Sequence, residues 1–188
     1  MTRIIGGIAG SRTLASPAKV TRPTSDRIRE SIFNRLEALN LINGSDVLDL
    51  YAGTGALGLE AASRGCRSVV LVEQHKQALG GIITNQRMVK TALQKEELDC
   101  DIRAEGKSVA SYLSTYSGMF DLVFIDPPYE ISNKEIHENL TALISHLNED
   151  AVIVLERSSR TPMPELPEGL TLTEEKSYGD TVVYWLSN

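Results

Sequence analysis

Asp126-Pro127-Pro128-Tyr129 closes the apolar run Phe120–Ile125, and an acid followed by two prolines at a strand end suits a particular chemistry. The exocyclic amine of a nucleobase is a poor nucleophile because its lone pair is delocalised into the ring. The Asp126 carboxylate can accept one amine hydrogen and the Pro127 carbonyl another, which favours a pyramidal nitrogen with its lone pair directed outward. Holding such a nitrogen in line with an electrophilic carbon supplies much of the rate of transfer. Pro127 and Pro128 stop strand pairing and stiffen the chain at that point, and Tyr129 can stack on the base for about 1–3 kcal/mol. A turn that merely ends a strand can use the same residues. With proline near 5% of residues, however, the tetrapeptide arises by chance in on the order of one chain per thousand of this size.

A second group lies upstream. Asp49-Leu50-Tyr51-Ala52-Gly53-Thr54-Gly55 ends another short apolar run, and Gly53 to Gly58 satisfies G-x-G-x-x-G. Glycines at this spacing allow a tight turn and close backbone approach to a ligand at a helix N-terminus, which alone suggests a dinucleotide. Asp49, four residues before the first glycine, would repel a pyrophosphate but attract the ammonium of S-adenosylmethionine. Glu73, closing the next apolar run, can accept hydrogen bonds from both ribose hydroxyls and suits NAD equally. A Gly-rich turn with no ligand is the plainer alternative. Together the two motifs read as an enzyme that methylates an exocyclic nitrogen of a nucleobase.

The elements that must position these residues follow from periodicity. Val47–Leu50, Ser68–Glu73, Phe120–Ile125 and Ala151–Glu156 are short, apolar and largely β-branched, as buried parallel strands are; Ile102–Glu105 is a weaker one. Helices are predicted over Ala56–Arg64, closed by Gly65, and over Lys76–Val89, where Gly80 and Gly81 each cost about 1 kcal/mol. Ser108–Thr115 and Lys134–Leu147 are further helices. Leu170–Lys176 and Thr181–Leu186 straddle a turn and read as an antiparallel pair. The alternation predicts a doubly wound α/β sheet, mostly parallel, of seven strands. Before it, Arg3–Ile5 and Arg12–Leu14 form a small hairpin. Thr24 or Ser25 then caps a helix with the apolar stripe Ile28, Ile32, Phe33, Leu36 and Leu39. Residues 1–40 are thus an extension to a main domain over 41–188.

Charge is unevenly spread. Residues 1–35 carry seven basic side chains, Arg3, Arg12, Lys19, Arg22, Arg27, Arg29 and Arg35, against Asp26 and Glu30; they are +5 in a chain of −6 overall. A basic arm on an acidic body can bring one face to a phosphate backbone, although a solvated terminus would look the same. No apolar stretch approaches the ~20 residues needed to cross a bilayer. Cys66 and Cys100 form neither CxxC nor a disulfide framework, so the cytoplasm is the simplest compartment. There is no Walker loop, HExxH or Cys/His cluster, hence no metal site in the sequence, and His75, His137 and His146 are scattered.

Arg3-Ile4-Ile5-Gly6-Gly7, the block Thr21-Arg22-Pro23-Thr24-Ser25-Asp26-Arg27-Ile28-Arg29-Glu30, the Asp49–Gly58 loop, Glu73 and Asp126–Tyr129 together resemble the bacterial RsmD-like 16S rRNA (guanine-N2)-methyltransferases. The correspondence runs from the first residues to Tyr184, and the Thr-Arg-Pro-Thr block makes it more specific than a general methyltransferase match. The resemblance implies a class I, Rossmann-like fold that uses S-adenosylmethionine to methylate the N2 amine of a guanine, guanine 966, in 16S rRNA. The implied partner is the 30S subunit or an assembly intermediate; a monomer is the expected form. It places Asp49, Tyr51, Gly53 and Gly55 on the methionine side, Glu73 on the ribose, and Asp126, Pro127, Pro128 and Tyr129 at the target amine. Arg3, Arg22, Thr24, Arg27 and Arg29 are the candidate RNA contacts. Three departures stand out: Ser108 takes the place of an Asp that can contact adenine, Tyr51 that of a frequent Phe, and Gly80-Gly81 interrupts a helix. RNA recognition would favour an unpaired, splayed base. A DNA adenine-N6 methyltransferase, a protein-glutamine methyltransferase and a non-catalytic rRNA-binding assembly factor are the competing readings.

Overall fold

The computed structural model describes residues 2–16 and 25–188. Strands β1 (Asp46–Leu50), β2 (Ser68–Val72), β3 (Asp101–Glu105), β4 (Phe120–Ile125), β5 (Leu147–Ser158), β6 (Thr171–Tyr178) and β7 (Thr181–Ser187) form one sheet in the order β3-β2-β1-β4-β5-β7-β6. β7 alone runs against its neighbours β5 and β6. Order reverses between β1 and β4, so their C-terminal ends open the crevice in which doubly wound folds bind ligands.

Five helices cover the two faces: α1 (Asp26–Ala38), α2 (Ala56–Ser63), α3 (Lys76–Lys95), α4 (Val109–Thr115) and α5 (Asn133–Leu143). Strand alternation sorts the core into two layers. Val47, Val69, Phe124 and Val154 pack with α1, α2 and α3, while Leu48, Val70, Ile125 and Leu155 pack with α4 and α5. The basic N-terminal segment shares the first layer: Ile4, Ile32 and Phe33 are fully buried in it, with the Phe33 and Phe124 rings 5.5 Å apart. Arg35 stacks over Trp185 on β7 and pairs with Glu174 on β6, while Ser31 and the Tyr178 hydroxyl lie 2.6 Å apart, fixing α1 across the sheet.

Differences from the sequence reading have local causes. Ser25 is the N-cap of α1, its hydroxyl accepting from Ile28 N; Thr24 lies outside the described residues. Leu39 follows the helix end and is exposed, so the apolar stripe stops at Leu36. Gly80 and Gly81 do not break α3, which continues to Lys95 because Ile82, Val89 and Leu93 are buried along one face. The helix predicted to Leu147 ends at Leu143; a 3₁₀ turn over Ile144–His146 leads straight into β5.

The N-terminal hairpin reduces to a single bridge, Arg3 to Thr13, with Ile4 N donating to Arg12 O and Leu14 N to Thr2 O. Its connecting residues are held elsewhere. Ile5 N and Gly6 N both donate to the Glu60 carboxylate, and Ala9 N donates to Ser63 Oγ, so the loop is stitched to α2. The thiols of Cys66 and Cys100 are free and buried, 3.6 Å apart. Among the described residues no helix is long and apolar enough to cross a membrane.

Candidate active site

A cavity of about 800 Å³ opens at the C-terminal ends of β1, β2, β4 and β5. Asp49, Tyr51, Gly53, Glu73, Ser108 and Asp126 through Tyr129 all line it. The two motifs, more than 70 residues apart in sequence, therefore meet because β1 and β4 are adjacent and in register, Leu50 opposite Ile125.

The glycine loop is shaped by backbone conformations that other residues adopt at a cost. Gly53 and Gly55 have φ of +58° and +77°, and Gly55 is the N-cap of α2. Tyr51, also left-handed at φ +63°, turns its phenol to α5, where Asn139 Nδ2 donates to it at 2.7 Å. Burial, before the nearby Glu135 charge, pushes that phenol upward, so it stays protonated. Tyr51 thus shapes the pocket while bracing it against α5.

Glu73 organises the loop from the next strand. Its Oε2 accepts from Gly53 N at 2.9 Å and its Oε1 from His75 N at 2.7 Å. Each carboxylate oxygen keeps a further acceptor direction for the hydroxyls of a ribose. Asp49 is buried, its Oδ2 accepting from Gly58 N at 2.9 Å. Burial, with the like charges of Asp126 and Glu73, pushes its carboxyl up to about 8 against the pull of that N–H. Such a group is poised to ionise when a cation enters. A nucleoside with a cationic tail therefore fits this half of the cavity.

The other half carries the acid–proline motif. Asp126 is half-buried, Pro127 buried, and Tyr129 exposed at 61%, so its ring is available to a splayed base. The Pro128 carbonyl accepts from Ile131 N and closes the turn, whereas the Pro127 carbonyl takes no backbone turn or ladder bond among the described residues. Arg157, buried at the end of β5, donates to Ile131 O and Asn133 Oδ1 and so fixes the loop that follows.

Other predicted contacts are placed less directly. Ser108 lines the cavity, but its hydroxyl caps α4 by accepting from Ser111 N. Arg3 and Arg27 are at the surface, Arg3 paired with Asp26. Arg29 is fully buried, and its Nη2 donates to Asp26 Oδ1 and to the Arg3 carbonyl. Arg22 and Thr24 lie outside the described residues. The ring nitrogens of His146 face the Leu113 and Gly118 carbonyl oxygens and His137 Nδ1 faces the Glu165 carbonyl, acceptors for a ring N–H within the fold. Sequence reading passed over Glu156, Arg157 and Thr181 on the cavity wall. Glu156 closes the predicted strand Ala151–Glu156, as Glu73 closes Ser68–Glu73.

The family described as Conserved hypothetical protein 95 matches residues 2–187. The chain is 33% identical over 178 residues to the ribosomal RNA small subunit methyltransferase D of Escherichia coli K12, covering 94% of this chain and 85% of that one. A hypothetical protein of Thermus thermophilus superposes with a TM-score of 0.80 at 28% identity, covering 98% of both chains. The rRNA methyltransferase AviRa of Streptomyces viridochromogenes, at 18% identity, shares the fold with a TM-score of 0.68 over 96% of this chain and 91% of its own. With matching sequence over nearly its whole length and the α/β methyltransferase fold, the chain belongs to the RsmD-like methyltransferase family.

Proposed function

We propose that this protein transfers a methyl group from S-adenosylmethionine to the N2 amine of a guanine in 16S rRNA, guanine 966 being the position its family resemblance points to. The substrate is the 30S subunit or an assembly intermediate, and the enzyme acts as a cytoplasmic monomer. The observation that carries this reading is one cavity walled by Asp49 and Glu73 on one side and by Asp126 and Pro127 on the other. The relative in Escherichia coli, which is named for small-subunit rRNA methylation, supports the substrate class.

Bound there, the cofactor supplies a methyl carbon made electrophilic by a sulfonium. Asp49 would face its ammonium, Glu73 its ribose, and the glycine loop would admit it closely. Asp126 and the Pro127 carbonyl each accept one N2 hydrogen, turning the nitrogen lone pair toward the methyl carbon. Once methylated the amine is acidic, and Asp126 would take its proton and pass it to water. Tyr129 stacks on the flipped base.

The test supplies labelled cofactor with naked rRNA, 30S particles and duplex DNA, followed by identification of the methylated nucleoside. N2-methylguanine in the 30S rRNA is the expected product. Methyladenine in DNA would defeat the assignment, and transfer to nothing would favour an assembly factor.

Asp49 makes the cofactor half testable alone. The free protein holds its proton up to about pH 8, whereas a bound cation favours the carboxylate. Binding at pH 7 should therefore release a proton, and affinity should rise from pH 6 to 8, by up to about tenfold per unit, then level off. Calorimetry in two buffers of different ionisation enthalpy reads the proton directly. Identical heats in both would remove Asp49 from the cation site.

At the RNA face, neutralising Arg22 together with the exposed Arg27 is expected to weaken particle binding and lower the salt slope, by about one for each phosphate no longer neutralised. An unchanged slope in filter binding would take the N-terminal arm out of the interface.

A further inference from the structure

Glu156 lies on β5 one residue past its last pair with β4, beside the acid–proline motif. In the β4–β5 ladder Phe124 pairs with Val154 and Ile125 with Leu155, so the next position sets Glu156 alongside Asp126, at a strand spacing of about 5 Å. Alternation gives the two acids the same face. Ile125 and Leu155 pack into the layer under α4 and α5, and Phe124 and Val154 into the layer under α1. The residues that follow, Asp126 and Glu156, fall on the α1 side, as does Asp49 between Leu48 and Leu50 on β1. Glu156 is 4% exposed and lines the cavity.

α1 brings a second group to the same wall. Arg29 also lines the cavity, and while its Nη2 is engaged, its buried Nε and Nη1 have no hydrogen-bond partner among the described residues. Two buried donors left unmade cost free energy that a ligand acceptor would return.

These groups complement one edge of one base. Guanine presents, in sequence, an N2 amine and an N1–H as donors and O6 as an acceptor; adenine presents at N1 a lone pair, which a carboxylate repels. With the N2 amine held at Asp126, a base turned toward β5 sets its N1–H beside Glu156. A carboxylate has about four acceptor directions, so an interaction within the fold leaves others for the base. We infer that Glu156 is a specificity-determining residue that accepts the N1–H of the target guanine, with the Arg29 guanidinium complementing O6. This rests on the guanine-N2 assignment above and extends it to how guanine is chosen.

The test uses the full chain and 30S particles reconstituted with either guanine or 2-aminopurine at the modified position. 2-Aminopurine keeps the reacting amine but has an unprotonated N1 and no O6. Single-turnover transfer by the unaltered protein should favour guanine by at least about 100-fold, because a site built for a donor rejects a base lacking it. Glu156→Gln, whose amide can donate to an unprotonated N1, should shrink that preference at least about tenfold. Cofactor affinity by calorimetry and the melting temperature check that the variant is folded. If the unaltered protein methylates guanine and 2-aminopurine equally, or if Glu156→Gln keeps the full preference, the inference is overturned while the guanine-N2 assignment stands. Should Glu156→Gln not fold, the preference of the unaltered protein decides alone. Methylation of no guanine by the unaltered protein would overturn the assignment and this inference with it.

Discussion

Replacing Asp126 by alanine is expected to lower single-turnover methyl transfer by about a thousandfold or more while leaving cofactor affinity within about threefold. The size follows from losing a charged acceptor aimed at the reacting nitrogen, an interaction of about 4 kcal/mol in a water-poor site. The selectivity follows from position: Asp126 directly follows β4, whereas the loop over 51–55, Glu73 and Asp49 belong to β1, β2 and their connections. In the glycine loop Gly53 N is held by Glu73 and Gly58 N by Asp49. Removing its charge also relieves Asp49, which the Asp126 carboxylate helps to hold protonated. Cofactor binding should therefore need less proton release in the variant and, near neutral pH, tighten slightly. Asp126→Asn keeps an acceptor oxygen without the charge and should fall between the two. Parallel measurement of cofactor binding and turnover checks the division, and equal losses in both would contradict it.

Much of this site was legible because its residues end strands. Glu73 and Asp126 each directly follow an apolar run, and Asp49 stands one residue from the end of another, at the edge where parallel α/β sheets bind ligands; that edge follows from local pattern alone. What brings Asp126 to Asp49 is the pairing of β1 with β4, a long-range register that the local pattern does not state. Glu156 was missed because the predicted strand simply ran out at it, with no turn signal to mark it. Helix propensity misread Gly80-Gly81, where buried Ile82 and Val89 outweigh the two glycines. Arg29 looked like its solvated neighbour Arg27, since a step of two residues on a helix carries a surface position round to a buried one by about half a turn.

Glu60 shows the same limit with larger consequences. It reads as an ordinary helix former in α2, yet it is fully buried and accepts from Ile5 N at 2.6 Å and Gly6 N at 2.7 Å. Arg64 reaches it at 2.7 Å and continues to Glu37 on α1 at 2.8 Å, its guanidinium lying over the Phe33 ring. One carboxylate thus ties the N-terminal segment, α2 and α1 together. Glu60→Ala would leave two backbone donors and a mostly buried guanidinium without their acceptor, and should cost about 3–5 kcal/mol of stability. Glu60→Gln keeps one acceptor oxygen and should cost clearly less. Urea denaturation reads the loss, and hydrogen exchange should show amides of residues 4–14 opening first. The tie is tight sterically as well: Gly7, at φ +71°, has no room for a Cβ, which would sit 2.0 Å from Ser63 O. Because Ser16, Ser25, Ile28 and Arg29 carry this segment onto the cavity wall, Glu60→Ala should weaken substrate binding even under conditions where the sheet stays folded. A cost below about 1 kcal/mol with unchanged exchange would mean that apolar contacts of Ile4 and Leu14 alone hold the segment in place.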